Sequence, residues 1–168
     1  ILGSARLAHT ALENSTLKIG LSWPSLSKIL GKQIVNANWG VLYLGGKQEG
    51  DRNKRERLQI KGKGAITFDI EDAGLEGIVI LDGTWAQAKT MWWRNAWLLK
   101  LKRLILTPQR KSLYGDLRRE PRRECLSTIE AIAETLEALG EKPETTQALR
   151  DHFSALLRRV KATTQTST

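Results

Sequence analysis

Three short apolar runs constrain the fold of this chain more than any other feature. They are Val41–Leu44, Ile78–Leu81 and Leu104–Leu106, and each is followed by a turn that contains Gly or Pro. Continuous apolar strands without alternation are typical of a parallel sheet that helices cover on both faces. Ligands of such sheets bind at the carboxyl ends of the strands. We therefore predict an α/β fold with a mostly parallel sheet flanked by helices, in which the three strand-end loops share one crevice.

Helical periodicity occupies much of the remaining chain. Apolar residues recur at spacings of three and four over residues 84–101, over residues 128–139, and from Pro143 to Val160. A shorter apolar pattern after Trp23-Pro24 indicates a further helix around residues 26–30. In the helix over 84–101, the spacing predicts one apolar face, formed by Trp85, Ala88, Trp92, Ala96 and Leu99.

The chain of 168 residues is long enough for one compact domain with its own core, which we place at residues 1–161. Residues 46–64 combine glycines with dense charge and predict a flexible basic loop within that domain. Residues 162–168 lack an apolar anchor and predict a disordered tail. The sequence begins at Ile1 rather than Met, which leaves open whether upstream residues are missing.

The positive charge is concentrated in two stretches. The net charge is +9, and Lys100–Arg123 holds nine Lys or Arg against two acidic residues, while Gly50–Gly64 holds six against two. Lys and Arg that neutralise phosphates release condensed counterions, so this clustering suits a polyanionic partner. A soluble basic face is the alternative interpretation of the same charge.

Several classes of protein do not agree with this composition. Cys125 is the only cysteine, which excludes an internal disulfide and a multi-cysteine zinc site, and we expect no metal. His9 and His152 lie far apart and form no recognisable hydrolase motif. No apolar run approaches the length of a membrane span, and the N-terminus has no signal-peptide pattern, so we expect a cytoplasmic protein.

The segment Asp82-Gly83-Thr84-Trp85 follows an apolar strand and opens a helix that contains Ala88-x-x-Met91. This pattern resembles the signature of the DTW-domain family. Further segments in the same order strengthen the resemblance, which extends over residues 3–140: Arg6-Leu7-Ala8 with Leu12, Val41-Leu42-Tyr43 before Gly45, Ser112-Leu113-Tyr114 with Arg118, and Cys125-Leu126-Ser127-Thr128-Ile129-Glu130-Ala131.

The resemblance implies a SPOUT-like fold with a C-terminal trefoil knot and a tRNA-uridine aminocarboxypropyltransferase activity. Such an enzyme transfers the 3-amino-3-carboxypropyl group of S-adenosylmethionine to N3 of a uridine in tRNA and releases 5′-methylthioadenosine. No metal is expected in this reaction. The sequence decides neither the tRNA and uridine that are used nor whether the active unit is a monomer or a homodimer.

Asp82 is the candidate catalytic residue, because the uracil N3–H must lose its proton before the nitrogen attacks carbon. Its alternative role is to stabilise the positive end of the following helix. Thr84 fits a capping box with Gln87, and Trp85 either stacks on a base or belongs to the core. By resemblance, the cofactor-binding set is Leu42, Tyr43, Gly45, Leu81, Thr84, Trp85, Thr107, Leu126, Ser127, Thr128 and Glu130.

The second candidate constellation is Leu126–Glu130 at the start of a helix. A helix N-terminus offers unpaired N–H groups to the carboxylate of a methionyl moiety, and Glu130 is able to meet its ammonium group. A capping box from Ser127 to Glu130 is the alternative, and both roles can coexist. The candidate RNA-binding residues lie just upstream, where they are either phosphate ligands or a solvated charge run: Arg110, Lys111, Ser112, Tyr114, Arg118, Arg119, Arg122 and Arg123.

Two rival functions remain open from the sequence. One is the same chemistry directed at rRNA, as in a related family. The other is a non-catalytic RNA-binding module that keeps the charge without the reaction, against which the presence of Asp82, Trp85 and Glu130 argues.

Overall fold

The computed structural model describes residues 3–43, 57–109, 112–113 and 127–166. It has the α/β architecture that the sequence predicts. The chain separates into two compact units. One is a sheet unit, Lys18–Thr107, and the other is a helical unit, formed by Ile1–Leu17 together with Pro108–Thr168.

Within the described residues, the sheet unit contains one sheet of five strands. The three predicted strands are present, and two more join them. The bounds are β1 Trp39–Tyr43, β2 Leu58–Lys61, β3 Thr67–Phe68, β4 Gly77–Leu81 and β5 Lys102–Leu106. Their order across the sheet is β3-β2-β5-β1-β4.

The sheet is mixed, so the prediction of a mostly parallel sheet was wrong. β1 pairs in parallel with β4 and β5, whereas β2 pairs antiparallel with both β5 and β3. β2 lies inside the segment 46–64, where charge density suggested a flexible loop. Its burial alternates, with Leu58 and Ile60 buried and Gln59 and Lys61 partly exposed. This period of two is typical of antiparallel strands, and the surrounding charge obscured it.

Helices of the same unit pack on one face of the sheet. The helices are α2, Leu26–Leu30, and α3, Trp85–Arg94, followed by a 3-10 helix over Ala96–Lys100. Apolar side chains from these helices and from β1 and β4 form one buried cluster: Leu26, Val41, Leu81, Ala88, Met91, Trp97, Leu98 and Leu101.

The predicted apolar face over residues 84–101 holds at Ala88, which is buried, and at Trp92, which is half-buried. α3 ends at Arg94, and the chain continues as the 3-10 helix, which changes the angular spacing of the side chains. Trp97 and Leu98 are therefore buried, while Ala96 is exposed and Leu99 is 62% exposed. A pattern that assumes one continuous α-helix assigns these residues to the wrong faces.

Asn95 occupies the break between the two helices and is 1% exposed. Its side-chain Oδ1 accepts a hydrogen bond from the backbone N–H of Trp23 at 2.8 Å, and its Nδ2 donates to the carbonyl groups of Leu21 and Met91. The indole Nε1 of Trp97 donates to the Trp23 carbonyl at 3.0 Å. These bonds attach the chain before α2 to the end of α3.

The helical unit contains α1 Ser4–Ala11, α4 Thr128–Ala138 and α5 Pro143–Gln165. Every residue of α4 from Ile129 to Thr135 is buried. α5 begins at Pro143 as predicted and continues into the predicted tail, where the hydroxyl groups of Thr163 and Thr164 donate to carbonyl groups one turn earlier. Within the described residues, no helix has both the length and the apolar character that a membrane span requires.

Candidate functional site

The three parallel strands of the sheet unit end at the same edge. Tyr43 in β1 is aligned with Leu81 in β4, and Leu42 in β1 is aligned with Leu104 in β5. Asp82, which follows β4, and Thr107, which follows β5, therefore both lie at this edge. This is the edge at which open α/β sheets bind their ligands.

Asp82 directly follows β4 at this edge, and it is exposed. The next residue, Gly83, has a φ of +147°, a conformation that L-residues rarely adopt. A Cβ atom added to Gly83 would lie 2.9 Å from Oε1 and 3.1 Å from Cβ of Gln87. Glycine is therefore required to bring Asp82 out of the strand while leaving room for the first turn of α3.

Thr84 and Gln87 close the first turn of α3 with a reciprocal capping box. The Thr84 hydroxyl accepts from the backbone N–H of Gln87 at 3.2 Å, and Oε1 of Gln87 accepts from the backbone N–H of Thr84 at 2.9 Å. The capping role proposed for Thr84 is confirmed. The side chains of Thr84 and Gln87 therefore stabilise the turn that follows Asp82.

The structure describes most of the other predicted cofactor-binding residues of the sheet unit. Leu42 and Leu81 are buried, so only their backbone groups are available to a ligand at this edge. Thr107 is half-buried, and its backbone N–H donates to the Arg57 carbonyl at 2.8 Å. Tyr43 ends β1 and Trp85 begins α3, whereas Gly45 lies outside the described residues.

The second constellation belongs to the helical unit, at the start of α4. The Ser127 hydroxyl accepts from the backbone N–H of Glu130, and Oε1 of Glu130 accepts from the backbone N–H of Ser127 at 3.1 Å. The capping box proposed for these two residues is therefore present. Thr128 is the first residue of the helix, and Leu126 lies outside the described residues.

Glu130 also binds two residues inside the basic stretch Lys100–Arg123. Its carboxylate is 8% exposed; Oε1 accepts from the Ser112 hydroxyl at 2.7 Å, and Oε2 accepts from the backbone N–H of Leu113 at 2.9 Å. With the bond from Ser127, three protein donors meet this one carboxylate. These contacts favour a positioning role for Glu130 over direct contact with an ammonium group.

Glu134 repeats this arrangement one turn further along α4, and the sequence analysis did not single it out. It is buried, and its Oε2 accepts from the backbone N–H of Gln109 at 2.9 Å. The available signal was the spacing of four between Glu130 and Glu134, which places both carboxylates among the apolar residues of the first two helical turns, where a buried charge requires a partner. Two carboxylates of α4 thus bind the backbone of the segment after β5 at two points.

Of the predicted RNA-binding residues, the structure describes only Ser112, whose hydroxyl is bonded to Glu130. The others lie outside the described residues: Arg110, Lys111, Tyr114, Arg118, Arg119, Arg122 and Arg123. Among the residues that the structure does describe, no group of three or more His, Cys, Asp or Glu side chains is arranged to hold a metal ion.

Comparison with known proteins gives a family match over nearly the whole chain. The model of the DTW domain family matches residues 2–161. A tRNA-uridine aminocarboxypropyltransferase 2 of Drosophila melanogaster is 38% identical over 77 residues, which are 46% of this chain and 30% of the relative. A protein of the same name from Macaca fascicularis is 34% identical over 79 residues, which are 47% of this chain and 26% of the relative. The alignments thus span less than a third of the length of either relative, and no solved structure gives a significant match.

Proposed function

Since the chain belongs to the DTW-domain family, we propose that it transfers a 3-amino-3-carboxypropyl group to N3 of a uridine in tRNA. The observation that carries this proposal is the family match over residues 2–161, together with two relatives named as tRNA-uridine aminocarboxypropyltransferases. The proposed donor is S-adenosylmethionine. It supplies a methylene carbon activated by the sulfonium, so that the new N3–C bond forms as the C–S bond breaks and 5′-methylthioadenosine leaves.

The charge at the sheet edge is complementary to the charge of this donor. S-adenosylmethionine carries a sulfonium and an ammonium group, and the exposed Asp82 carboxylate at the end of β4 offers the complementary charge. The Gly83 turn and the capping box of Thr84 hold the backbone around that carboxylate in place before any ligand arrives. The proposed cofactor contacts at this edge are Leu42, Tyr43, Gly45, Leu81, Thr84, Trp85 and Thr107.

Asp82 is the proposed general base. Its carboxylate takes the proton from uracil N3–H, which gives the nitrogen the electron pair that it needs to attack carbon. The carboxylate is exposed and follows the strand directly, so a base that has left the RNA stack is able to reach it. The rest of the protein's contribution is orientation, in which the reacting nitrogen and carbon are brought together in line.

The helical unit contributes positioning and RNA binding in this proposal. The remaining proposed cofactor contacts are Leu126, Ser127, Thr128 and Glu130, and Glu130 also keeps Ser112 and Leu113 in place. The arginines between Arg110 and Arg123 are proposed to bind the phosphates of the tRNA. The SPOUT-like fold, the C-terminal knot and a cytoplasmic location stay predictions from the sequence.

Transfer of two separate labels tests the proposed function. The chain is incubated with tRNA and S-adenosylmethionine that is labelled either on the methyl group or on the carboxyl group. We expect only the carboxyl label to enter tRNA, and digestion to nucleosides should recover it on uridine. Entry of the methyl label alone would show a methyltransferase and contradict the proposal.

Two further arms separate the rival functions. Purified rRNA replaces tRNA in the same assay, and labelling of rRNA in place of tRNA would identify the related activity. Calorimetry with S-adenosylmethionine then tests for a binding module without chemistry. Such a module would bind tRNA in a salt-sensitive manner and give no heat with the cofactor.

A further inference from the structure

The outer face of α3 carries a tryptophan where an amphipathic helix would present a polar residue. Trp93 is 75% exposed, although Met91 and Ala88 of the same helix are buried in the core. Its side chain has no hydrogen bond or ring contact with another described residue. A large exposed aromatic ring gains much from being covered, and its flat π surface favours a planar partner.

The exposed charged residues close to this tryptophan in the chain are all positive. Lys89 lies one helical turn before Trp93 on the same face, Arg94 is its neighbour, and Lys100 ends the 3-10 helix that follows. All three are exposed, and none forms an ion pair with a described residue. The sequence from Gly83 to Leu106 contains five Lys or Arg and no Asp or Glu.

Two further contacts between tryptophans and cations occur at the residues on either side of Trp93. The Arg103 guanidinium lies over the ring of Trp92, 6.0 Å from its centroid. Arg94 lines an open groove of about 520 Å³ whose other walls are Ser22, Trp23, Pro24, Ala96 and Trp97. Arg94, next to Trp93 in the chain, is the one cation among the described residues of this groove, and a cation close to an exposed aromatic ring is typical of surfaces that bind unpaired nucleotides.

We infer that Lys89, Trp93 and Arg94 form a second RNA-binding surface, on which an unpaired base stacks against Trp93 while the two cations bind the flanking phosphates. This inference rests on the proposed function, because it takes tRNA as the substrate. Trp93 lies about 12 Å along the axis of α3 from Trp85, the first residue of that helix. Asp82, the proposed general base, is three residues before Trp85 in the chain. The surface therefore selects an RNA loop in which a nucleotide near the modified uridine is also unstacked.

Binding measurements with Trp93 variants test the inference. Fluorescence anisotropy of labelled tRNA is measured with the 168-residue chain and with Trp93→Ala and Trp93→Phe. We expect Trp93→Ala to weaken tRNA affinity by about 5- to 100-fold, as the loss of one stacked base does, and Trp93→Phe to weaken it less. Leu99→Ala, which removes another exposed apolar side chain nearby, is the matched control and should leave the affinity unchanged.

Salt dependence and RNA structure separate stacking from charge. Trp93→Ala should leave the slope of log Kd against log salt unchanged, whereas Lys89→Gln and Arg94→Gln should each reduce it by roughly 0.7 to 0.9. Trp93→Ala should weaken binding of a single-stranded oligonucleotide and leave binding of a fully paired duplex unchanged, because bases in a duplex are already stacked. Equal losses with both RNAs would overturn the stacking.

The outcomes also distinguish this inference from the proposed function. If the wild-type chain modifies tRNA and Trp93→Ala binds it equally well, the second surface is disproved and the proposed function stands. If the wild-type chain neither binds nor modifies tRNA, both are wrong. Light scattering completes the test: a wild-type dimer that Trp93→Ala dissociates, with tRNA affinity unchanged, would show that the surface binds a second copy of the chain. Thermal unfolding of each variant checks that the fold is retained.

Discussion

The Ser112 hydroxyl donates a hydrogen bond to the buried carboxylate of Glu130 at 2.7 Å, 18 positions further along the chain. Together with the bond from Leu113, it fixes the backbone of two residues within the basic stretch Lys100–Arg123. A carboxylate that accepts three hydrogen bonds from the protein has a structural role. Its effect on RNA binding is therefore expected to be indirect, through the backbone that it holds.

Ser112→Ala removes one donor to Glu130. Oε1 of Glu130 stays buried after this change and loses one of its hydrogen bonds. We therefore expect the free energy of unfolding to fall by about 2 kcal/mol, within the usual range for a hydrogen bond to a charged group. Urea denaturation measures this loss. Ser154→Ala in α5 is the control, since Ser154 forms no side-chain hydrogen bond with a described residue, and a loss of similar size there would contradict the assignment.

Asp82→Asn keeps the size of the side chain and removes the proposed base. The rate of label transfer to tRNA should fall by about 10²- to 10⁴-fold, as expected for loss of general base catalysis. Since Asp82 is exposed, stability should change by less than about 0.5 kcal/mol. Asp72→Asn, at another exposed position, should leave the rate unchanged. An Asp82→Asn enzyme that retains most of the wild-type rate would exclude Asp82 as the base.

Gly83→Ala adds a Cβ atom where φ is +147° and Gln87 is 2.9 Å away. The strain and the disturbed capping box should together cost about 2 to 4 kcal/mol of stability. Gly74→Ala is the matched comparison, because its φ of +57° is also positive but no atom lies within 4 Å of the added carbon. It should cost only about 1 to 2 kcal/mol, and equal losses for the two variants in chemical denaturation would show that the contact with Gln87 has no effect.

Asn95→Ala removes three hydrogen bonds at a buried position. The carbonyl of Leu21 and the N–H of Trp23 then lose their partner, so we expect a loss of about 3 to 4 kcal/mol in the free energy of unfolding. Asn38→Ala breaks a single exposed bond to Glu76 and should cost about 0.5 to 1 kcal/mol. Thermal and urea denaturation should give the same order of stability.

Much of the sheet and most of the helices were predictable from local pattern. The apolar runs at 41–44, 78–81 and 104–106 correspond to β1, β4 and β5, and Pro143 opens α5. The strands are predicted by their continuous apolar runs and the start of the helix by its proline, and both features are visible in the sequence alone. β2 was missed because only Leu58 and Ile60 are buried, within a segment whose charges dominate its composition.

The candidate site was predictable only in part, for a different reason. Both capping boxes follow from residue types at a spacing of three, which a sequence displays. The partners of Glu130 and Glu134 depend on which backbone segment packs against α4, and no local pattern contains that information. The exposure of Trp93 agrees with the spacing in α3, which leaves Trp93 outside the predicted apolar face, although the residue type alone suggests burial.

The bonds of Asn95 also bear on the order in which this protein folds. They join residues 72 and 74 positions apart, so the stretch around Leu21–Trp23 gains nothing from them until α3 and its break are in place. Closing so long a loop has an entropic cost, and the hydrogen bonds of the Asn95 side chain offset it only after that side chain is in its native position. That stretch is thus expected to dock late during refolding and, in native-state hydrogen exchange, to open before the central strands do.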